Sequence, residues 1–480
     1  MRLLCFIITL CFFVSCEGQK KSKNKALEER ISRIENGLQS NLQIHYKDSI
    51  IRSIYNIEER MQELKIPGLS IAVLHNGAIE WAKGYGIADS TENRKVTTET
   101  LFQAGSISKP IAATRALQLA ENGLIDLDQN INKYLSSWKL PDNEFTVNEK
   151  VTTRRLLNHT AGINIGGFLG YKRGDAIPST LEILDGKGNT DSIRVFRKPG
   201  EAWSYSGGGY TIMQQMVSDI DQIKFSETMR QNVLKTLGMK YSTYVNPLPE
   251  AFHSKAATGY NFDGTQVDGK WWVFPEMAAA GLWTTPSELI LWAKEIQHIL
   301  LTQNDGLLKA KTVNEMLTPN DDDQGLGPYV LDHIFGHGGA AEGFRADLTI
   351  WKDTANAAVI MVNSQNGNTI IREIVMSIAE EYSLPGHTPR KRVFKKQSRQ
   401  ELERFIGKYD FGKEGQSEIK IKDDGLELSG GLVSNPVFLW PESDGKFFSR
   451  ETGLYFNFDI QETDVVSIKV LSYEGKKLKK

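Results

Sequence analysis

The 480-residue chain has only three cysteines, Cys5, Cys11 and Cys16, and all lie at its N-terminus. The remainder can form neither a disulfide framework nor a thiolate metal site, so its stability has to come from packing. Net charge is equally scarce: the formal value is −2 and no long basic stripe offsets it, which argues against a nucleic-acid partner. There is a single long apolar run, Leu3–Val14, too short to anchor stably across a bilayer. With Met1-Arg2 before it and a polar, Lys-rich stretch after it, this run reads as the core of an export signal. Internal repeats of solenoid length are missing as well.

Val14-Ser15-Cys16 resembles a bacterial lipoprotein cleavage box, with Phe13 where that box usually has leucine. The expectation is an exported protein, periplasmic or anchored to the outer membrane of a bacterium by a lipid on Cys16. A plain signal peptide cut nearby is the alternative.

The stretch Phe102-Gln-Ala-Gly-Ser-Ile-Ser-Lys-Pro110 puts a serine three residues before a lysine. The Ala- and Leu-rich residues after Pro110, closed by Gly123, predict a helix opening near Ser106. Positions i and i+3 share a helix face, so Lys109 can reach the Ser106 hydroxyl. A serine hydroxyl is a poor nucleophile until a desolvated, neutral amine takes its proton, and helix N-terminal N–H groups favour negative charge nearby. Ser-x-x-Lys alone recurs by chance, so its weight depends on its company.

Leu27, Ile31, Ile34 and Leu38 predict a short amphipathic stalk interrupted at Gly37. Ile50, Ile54, Ile57, Met61 and Leu64 predict a second helix ending before Pro67. Leu69–Leu74 and Ala78–Ala82 read as strands joined by a hairpin at Asn76-Gly77. Gly84-Tyr85-Gly86 lacks the third glycine and the following helix of a dinucleotide loop. From about 125 to 290, helical patches alternate with Gly, Pro and Asn. His159 in this region is a candidate base, or a residue that pins a turn through hydrogen bonds, its commoner use. Tyr205, on a glycine-rich turn before a helix, is a packing element or a positioned proton shuttle. Residues 346–351 and 357–362 read as adjacent antiparallel strands followed by a helix over 369–382. Beyond 400, short alternating runs predict a small β-barrel or sandwich. His333 and His337, four apart with Glu342 nearby, have metal-ligand spacing for a helix. Gly336, Gly338 and Gly339 argue against a helix there, and no metal is expected.

Taken in order, Ser106-Ile-Ser-Lys109, Tyr205-Ser206-Gly207 and His337-Gly338-Gly339 resemble the motifs of the penicillin-recognising serine hydrolases. The likeness is to the class C β-lactamase-like branch, which includes D,D-peptidases, D-aminopeptidases and esterases. Ile66–Val73, Leu156–Gly162 and Gly281–Pro286 look like that family too. The resemblance implies a β-lactamase/transpeptidase-like α+β fold: an antiparallel β-sheet flanked by helices with an α-rich lobe, plus a small C-terminal all-β, lipocalin-like barrel. The implied organisation is signal peptide 1–16, tether and short helix 17–46, hydrolase domain 47–385, linker 386–399 and barrel 400–480. It also implies Ser106 as nucleophile, Lys109 and Tyr205 sharing the proton work, and the backbone N–H groups of Ser106 and Ala340 as oxyanion hole. Gly207, His337, Gly338 and Gly339 would contact a small-molecule or peptide-like substrate, without cofactor.

Two departures bear on substrate. Gly207 stands where the family often has asparagine, and His337 where it often has lysine. A histidine loses most of its charge above about pH 6.5, so a penicillin carboxylate would be held weakly. The expected activity is hydrolysis of esters or peptide-like amides through an acyl-enzyme, with weak β-lactam turnover. The alternatives are a D,D-carboxypeptidase or D-aminopeptidase acting on cell-wall peptides, and a non-catalytic peptide- or penicillin-binding sensor lipoprotein.

Overall fold

The structure, a computed structural model, describes residues 24–40 and 42–478. Cys16 lies outside the described residues. The chain divides into two compact units. One comprises Ile57–Ile371 with Leu384–Gly386; the other gathers the N-terminal residues up to Asn56, Arg372–Ser383 and everything from His387 on.

The first unit is built on a seven-stranded sheet. Its strands are β1 (Gly68–His75), β2 (Ala78–Asp89), β3 (Arg94–Lys95), β4 (Tyr329–Val330), β5 (Ile334–Ala341), β6 (Phe344–Trp351) and β7 (Asn356–Val362). Their spatial order is β4-β5-β6-β7-β1-β2-β3, and every neighbouring pair is antiparallel. β1 and β7 are central and buried almost throughout, which is why both read as unbroken apolar runs rather than alternating ones. The β1–β2 turn has Asn76 and Gly77 at φ 51° and 76°, the twist a two-residue hairpin requires. Gly84 and Gly86 lie inside β2; a Cβ on Gly84 would come within 2.5 Å of the Val96 carbonyl. Helix α3 (Pro286–Thr302) packs on β1 and β7.

Between β3 and β4 lies the helical lobe, including α1 (Ser108–Glu121) and α2 (Gly207–Asp221). α1 is buried on nearly every side, so it is a core helix with no polar face. A bidentate Arg115–Asp221 pair, at 2.9 and 2.6 Å, ties α1 to the end of α2.

The second unit ends in a closed barrel. Its strands are β8 (Gly407–Asp410), β9 (Gln416–Lys422), β10 (Gly425–Gly430), β11 (Val433–Ser443), β12 (Lys446–Ser449), β13 (Tyr455–Gln461), β14 (Asp464–Val470) and β15 (Tyr473–Lys477). β8 closes on β15. The interior is filled by Phe405, Tyr409, Phe447 and Phe458 together with aliphatic side chains.

Residues 24–36 are helical, and Arg33 clasps Glu381 at 3.0 and 2.6 Å. The expected helix over Ile50–Leu64 shrinks to Ile57–Glu63. Ser49–Ile51 instead forms a hairpin with Leu42–Tyr46 across a turn with Lys47 at φ 52°. The β-branched Ile50 and Ile51 suit that strand, and Ile50 and Ile54 are exposed rather than buried on a helix face. The expected linker 386–399 contains another strand, Arg390–Val393, parallel to Leu42–Tyr46.

The Phe458 ring lies 4.7 Å from Phe405 and 5.3 Å from Phe447. Phe458→Ala should destabilise the protein by about 3–5 kcal/mol, read as a fall in urea midpoint; an unchanged midpoint would contradict an aromatic barrel core.

Candidate active site

Ser106 occupies the middle of a single 3-10 turn, Gly105–Ile107, and the α-helix proper begins at Ser108. The helix ends where expected, with Gly123 left-handed at φ 70° and its N–H on the Ala120 carbonyl. Lys109, on the first turn of α1, is 2% exposed. Its Nζ donates to Ser106 Oγ at 3.0 Å and to the Ala279 carbonyl at 2.8 Å. A buried amino group whose N–H bonds lack acceptors is costly, so the Ala279 carbonyl is a requirement of the site. Ala279 lies on a short helix, Met277–Ala280, that α2 clamps through one side chain. Gln214 accepts from Ala278 N–H at 2.9 Å and donates to the Pro275 carbonyl at 3.0 Å. The three alanines and Gly281 were the only sequence signal for this close approach.

Tyr205 is held from both sides by His159. The Ser204 N–H donates to the His159 carbonyl at 2.8 Å, and the Ser206 N–H to His159 Nδ1 at 3.1 Å. The two rings lie 4.4 Å apart. His159 is fully buried, and burial together with Lys109 holds its imidazole well below the usual histidine range. Its Nδ1 is therefore an acceptor, and the geometry is that of a pin. Lys109 Nζ sits 4.9 Å from the Tyr205 ring centroid and 5.6 Å from that of Tyr210. Ser106 and Lys109, three residues apart, thus meet a tyrosine from a distant part of the chain.

β5 forms the opposite wall. A Cβ on Gly339 would lie 2.1 Å from the Ala104 carbonyl, and one on Gly105, at φ 51°, would lie 2.6 Å from the Ala340 nitrogen. Main chain abuts main chain here, which brings the Ala340 backbone beside the residue preceding Ser106. His337 Nδ1 donates to the Gly338 carbonyl at 2.6 Å, leaving Nε2 as an acceptor, and its ring is 6.2 Å from Tyr205. Burial and the nearby Lys109 push His337 down to about 4. This corrects the expectation that it loses its charge near pH 6.5: the imidazole is neutral throughout the physiological range.

His333 and His337 do not converge. His333 precedes β5 and is exposed, 3.8 Å from Asp353, whereas His337 is buried. Among the described residues no group of three His, Cys, Asp or Glu side chains could hold a metal ion. Gly207 opens α2, but the first N–H groups of that helix are taken: Gly207 donates to Gly166 O, Gly208 to Ile165 O and Gly209 to Ser206 Oγ. That helix terminus is not an open anion site. Glu276, just before the Ala279 helix, has both carboxyl oxygens buried and unpartnered, and burial raises it to about 7. Cavities of about 1100 Å³ beside the barrel and about 480 Å³ near Arg154 contain none of the three motifs. The chemistry, not the volume, marks the site.

A family model described as Beta-lactamase matches residues 55–381. The chain is 25% identical over 323 residues to protein flp of Staphylococcus aureus (strain MW2), covering 64% of this chain and 61% of that one. Penicillin-binding protein 4* of Bacillus subtilis (strain 168) is 22% identical over 437 residues, 85% of this chain and 93% of that one. The chain spans less than two thirds of the flp proteins it matches. Among solved structures, the octameric penicillin-binding protein homologue from Pyrococcus abyssi superposes with a TM-score of 0.60. It is 21% identical, over 88% of this chain and 98% of that one, and shows a common fold. The chain belongs to the β-lactamase family of serine hydrolases and acyl transferases.

Gly339→Ala should destabilise the protein by about 1–3 kcal/mol because the Ala104 carbonyl cannot yield. Gly338→Ala, whose Cβ would meet nothing closer than 4.0 Å, should stay within about 0.5 kcal/mol. Equal urea midpoints for the two would refute the abutment. Glu276→Gln tests the buried carboxyl. Because its folded-state value is raised, its ionisation penalty is absent below about pH 4.5, grows as pH rises towards 7, and is constant above. The stability gained by Glu276→Gln should therefore be larger at pH 8 than at pH 5, by about 2.5 kcal/mol. An equal gain at both pH values, measured by chemical denaturation, would contradict a neutral Glu276.

Proposed function

We propose that the chain is an exported, lipid-anchored hydrolase that forms an acyl-enzyme at Ser106 on ester or peptide-like amide substrates and turns β-lactams over weakly. The observation that carries this reading is Lys109, buried, with Nζ 3.0 Å from Ser106 Oγ. In the reaction Oγ bonds to the substrate carbonyl carbon, and its proton passes to the Lys109 amine. The carbonyl oxygen gains the negative charge and faces the backbone N–H groups of Ser106 and Ala340. As the carbonyl re-forms, the bond to the leaving group breaks, and that group takes a proton from Lys109 by way of the Tyr205 hydroxyl. Water then attacks the acyl-enzyme with the same groups acting in reverse. Oxyanion donors of this kind are worth about a hundredfold or more each, and a positioned acid–base pair about as much.

The neutral imidazole of His337 supports weak penicillin turnover, because it offers no positive charge to a carboxylate. The match to penicillin-binding protein 4* along most of the chain favours a second reading, a D,D-carboxypeptidase or D-aminopeptidase acting on cell-wall fragments. Export and anchoring rest on the N-terminal sequence; palmitate labelling that is lost in Cys16→Ser would support them.

A fluorophosphonate probe should label the wild type and leave Ser106→Ala unlabelled. Lys109→Ala and Tyr205→Phe should lower kcat/KM on p-nitrophenyl esters at least about a hundredfold. A panel of p-nitrophenyl esters, nitrocefin and D-alanyl amides separates the hydrolase readings from one another. Failure of the wild type to react with the probe would favour the non-catalytic sensor.

A further inference from the structure

Ser206 is extended, at φ −140° and ψ 114°, and its buried hydroxyl points inward to donate to the Asn164 carbonyl at 3.0 Å. Tyr205, before it, sets its ring beside the Lys109 Nζ, and Gly207, after it, opens α2. At 205 there is a phenol. At 207 there is no side chain, and the space a side chain would fill is taken by Phe168, whose Cε2 would lie 2.9 Å from a Cβ on Gly207.

Phe168 belongs to a short strap. Before it, the Ile165 and Gly166 carbonyls accept from Gly208 and Gly207, each at 3.0 Å. After it, the Gly170 carbonyl accepts from Asn189 Nδ2 at 2.7 Å, and Tyr171 pairs with Val273. Between these anchors Gly167 and Leu169 are exposed, and Phe168 is half-buried against the core. On the other flank of Tyr205 stands Trp203, 6.3 Å between ring centroids and partly exposed. Phe168, Leu169 and Trp203 thus give the segments that border Gly207 and Tyr205 an apolar edge, whereas β5 carries the polar His337 and the exposed Gly338 and Ala340.

Resting on the hydrolase reading above, we propose that Phe168 determines which acyl groups the enzyme accepts. With Trp203 it forms a wall for an aliphatic or aromatic acyl chain. The leaving group, which departs as a hydrated alcohol or amine, lies towards His337. An acyl group that needs a hydrogen-bonding partner at position 207 finds a ring there instead.

The test holds the leaving group constant and varies the acyl chain: kcat/KM on p-nitrophenyl acetate, butyrate, hexanoate and octanoate. The wild type should prefer hexanoate to acetate by about tenfold or more. Phe168→Ala should lose most of that ratio, and Phe168→Leu should restore part of it. Gly207→Ala should move the preference to shorter chains, because its Cβ displaces the ring without removing it. Fluorophosphonate labelling of each variant shows that its site is assembled; if Phe168→Ala fails to fold, Phe168→Leu and Gly207→Ala decide. Turnover with a flat chain-length profile, or a profile unmoved in the labelled variants, would overturn the Phe168 assignment and leave the hydrolase reading intact. Absence of both labelling and turnover in the wild type would overturn both.

Discussion

A lysine amino group shut away from water has to be answered by hydrogen-bond partners, and the placing of the Lys109 Nζ governs much of what surrounds it. Its two acceptors come from different parts of the chain: the Ser106 hydroxyl from its own turn, and the Ala279 carbonyl from a four-residue helix held against α2 by Gln214. Ser108, between serine and lysine, is fixed in the same way. Its hydroxyl accepts from the Leu282 N–H at 2.9 Å, and its carbonyl from the Tyr244 hydroxyl at 2.7 Å. The nucleophile and its partner are thus set by packing and hydrogen bonds made before any substrate arrives. That kind of preorganisation avoids reorganisation during the reaction.

The second support is steric. Ala104–Gly105 and Gly339–Ala340 touch through their main chains, with a glycine on each side, so the strand that forms one wall cannot drift from the turn that carries the nucleophile. The histidines are arranged differently. His159 spends its ring and its carbonyl on the two residues that flank Tyr205, and His337 spends one nitrogen on the next carbonyl in its own strand. Both are buried and neutral.

Much of this was readable from the chain alone, for identifiable reasons. Asn76-Gly77 and the apolar runs at 69–74 and 357–362 carry their strand signal locally, and the alternating runs beyond 400 do the same for the barrel. The three motifs announced Ser106, Lys109 and Tyr205 because each sits at a turn with strict backbone demands. What escaped were contacts between remote segments. Ala279 contributes only a carbonyl, and Phe168 matters only because residue 207 lacks a side chain. Ile50 and Ile54 fall at helical spacing by coincidence, and their true settings depend on Leu42–Tyr46 and on Leu38–Gln39. The neutrality of His337 follows from burial and from Lys109, neither of which its sequence neighbours disclose.

The parallel pairing of Leu42–Tyr46 with Arg390–Val393 has a consequence for biosynthesis. On the ribosome the earlier strand emerges about 350 residues before its mate, which at ordinary elongation rates is a wait of about 20 to 70 s. Throughout that interval one edge of a nascent two-stranded ribbon stays unzipped and open to foreign strands. A holding chaperone, or delayed release of the nascent N-terminus, would have its greatest effect on yield there, through a wait that outlasts synthesis of the whole seven-stranded unit.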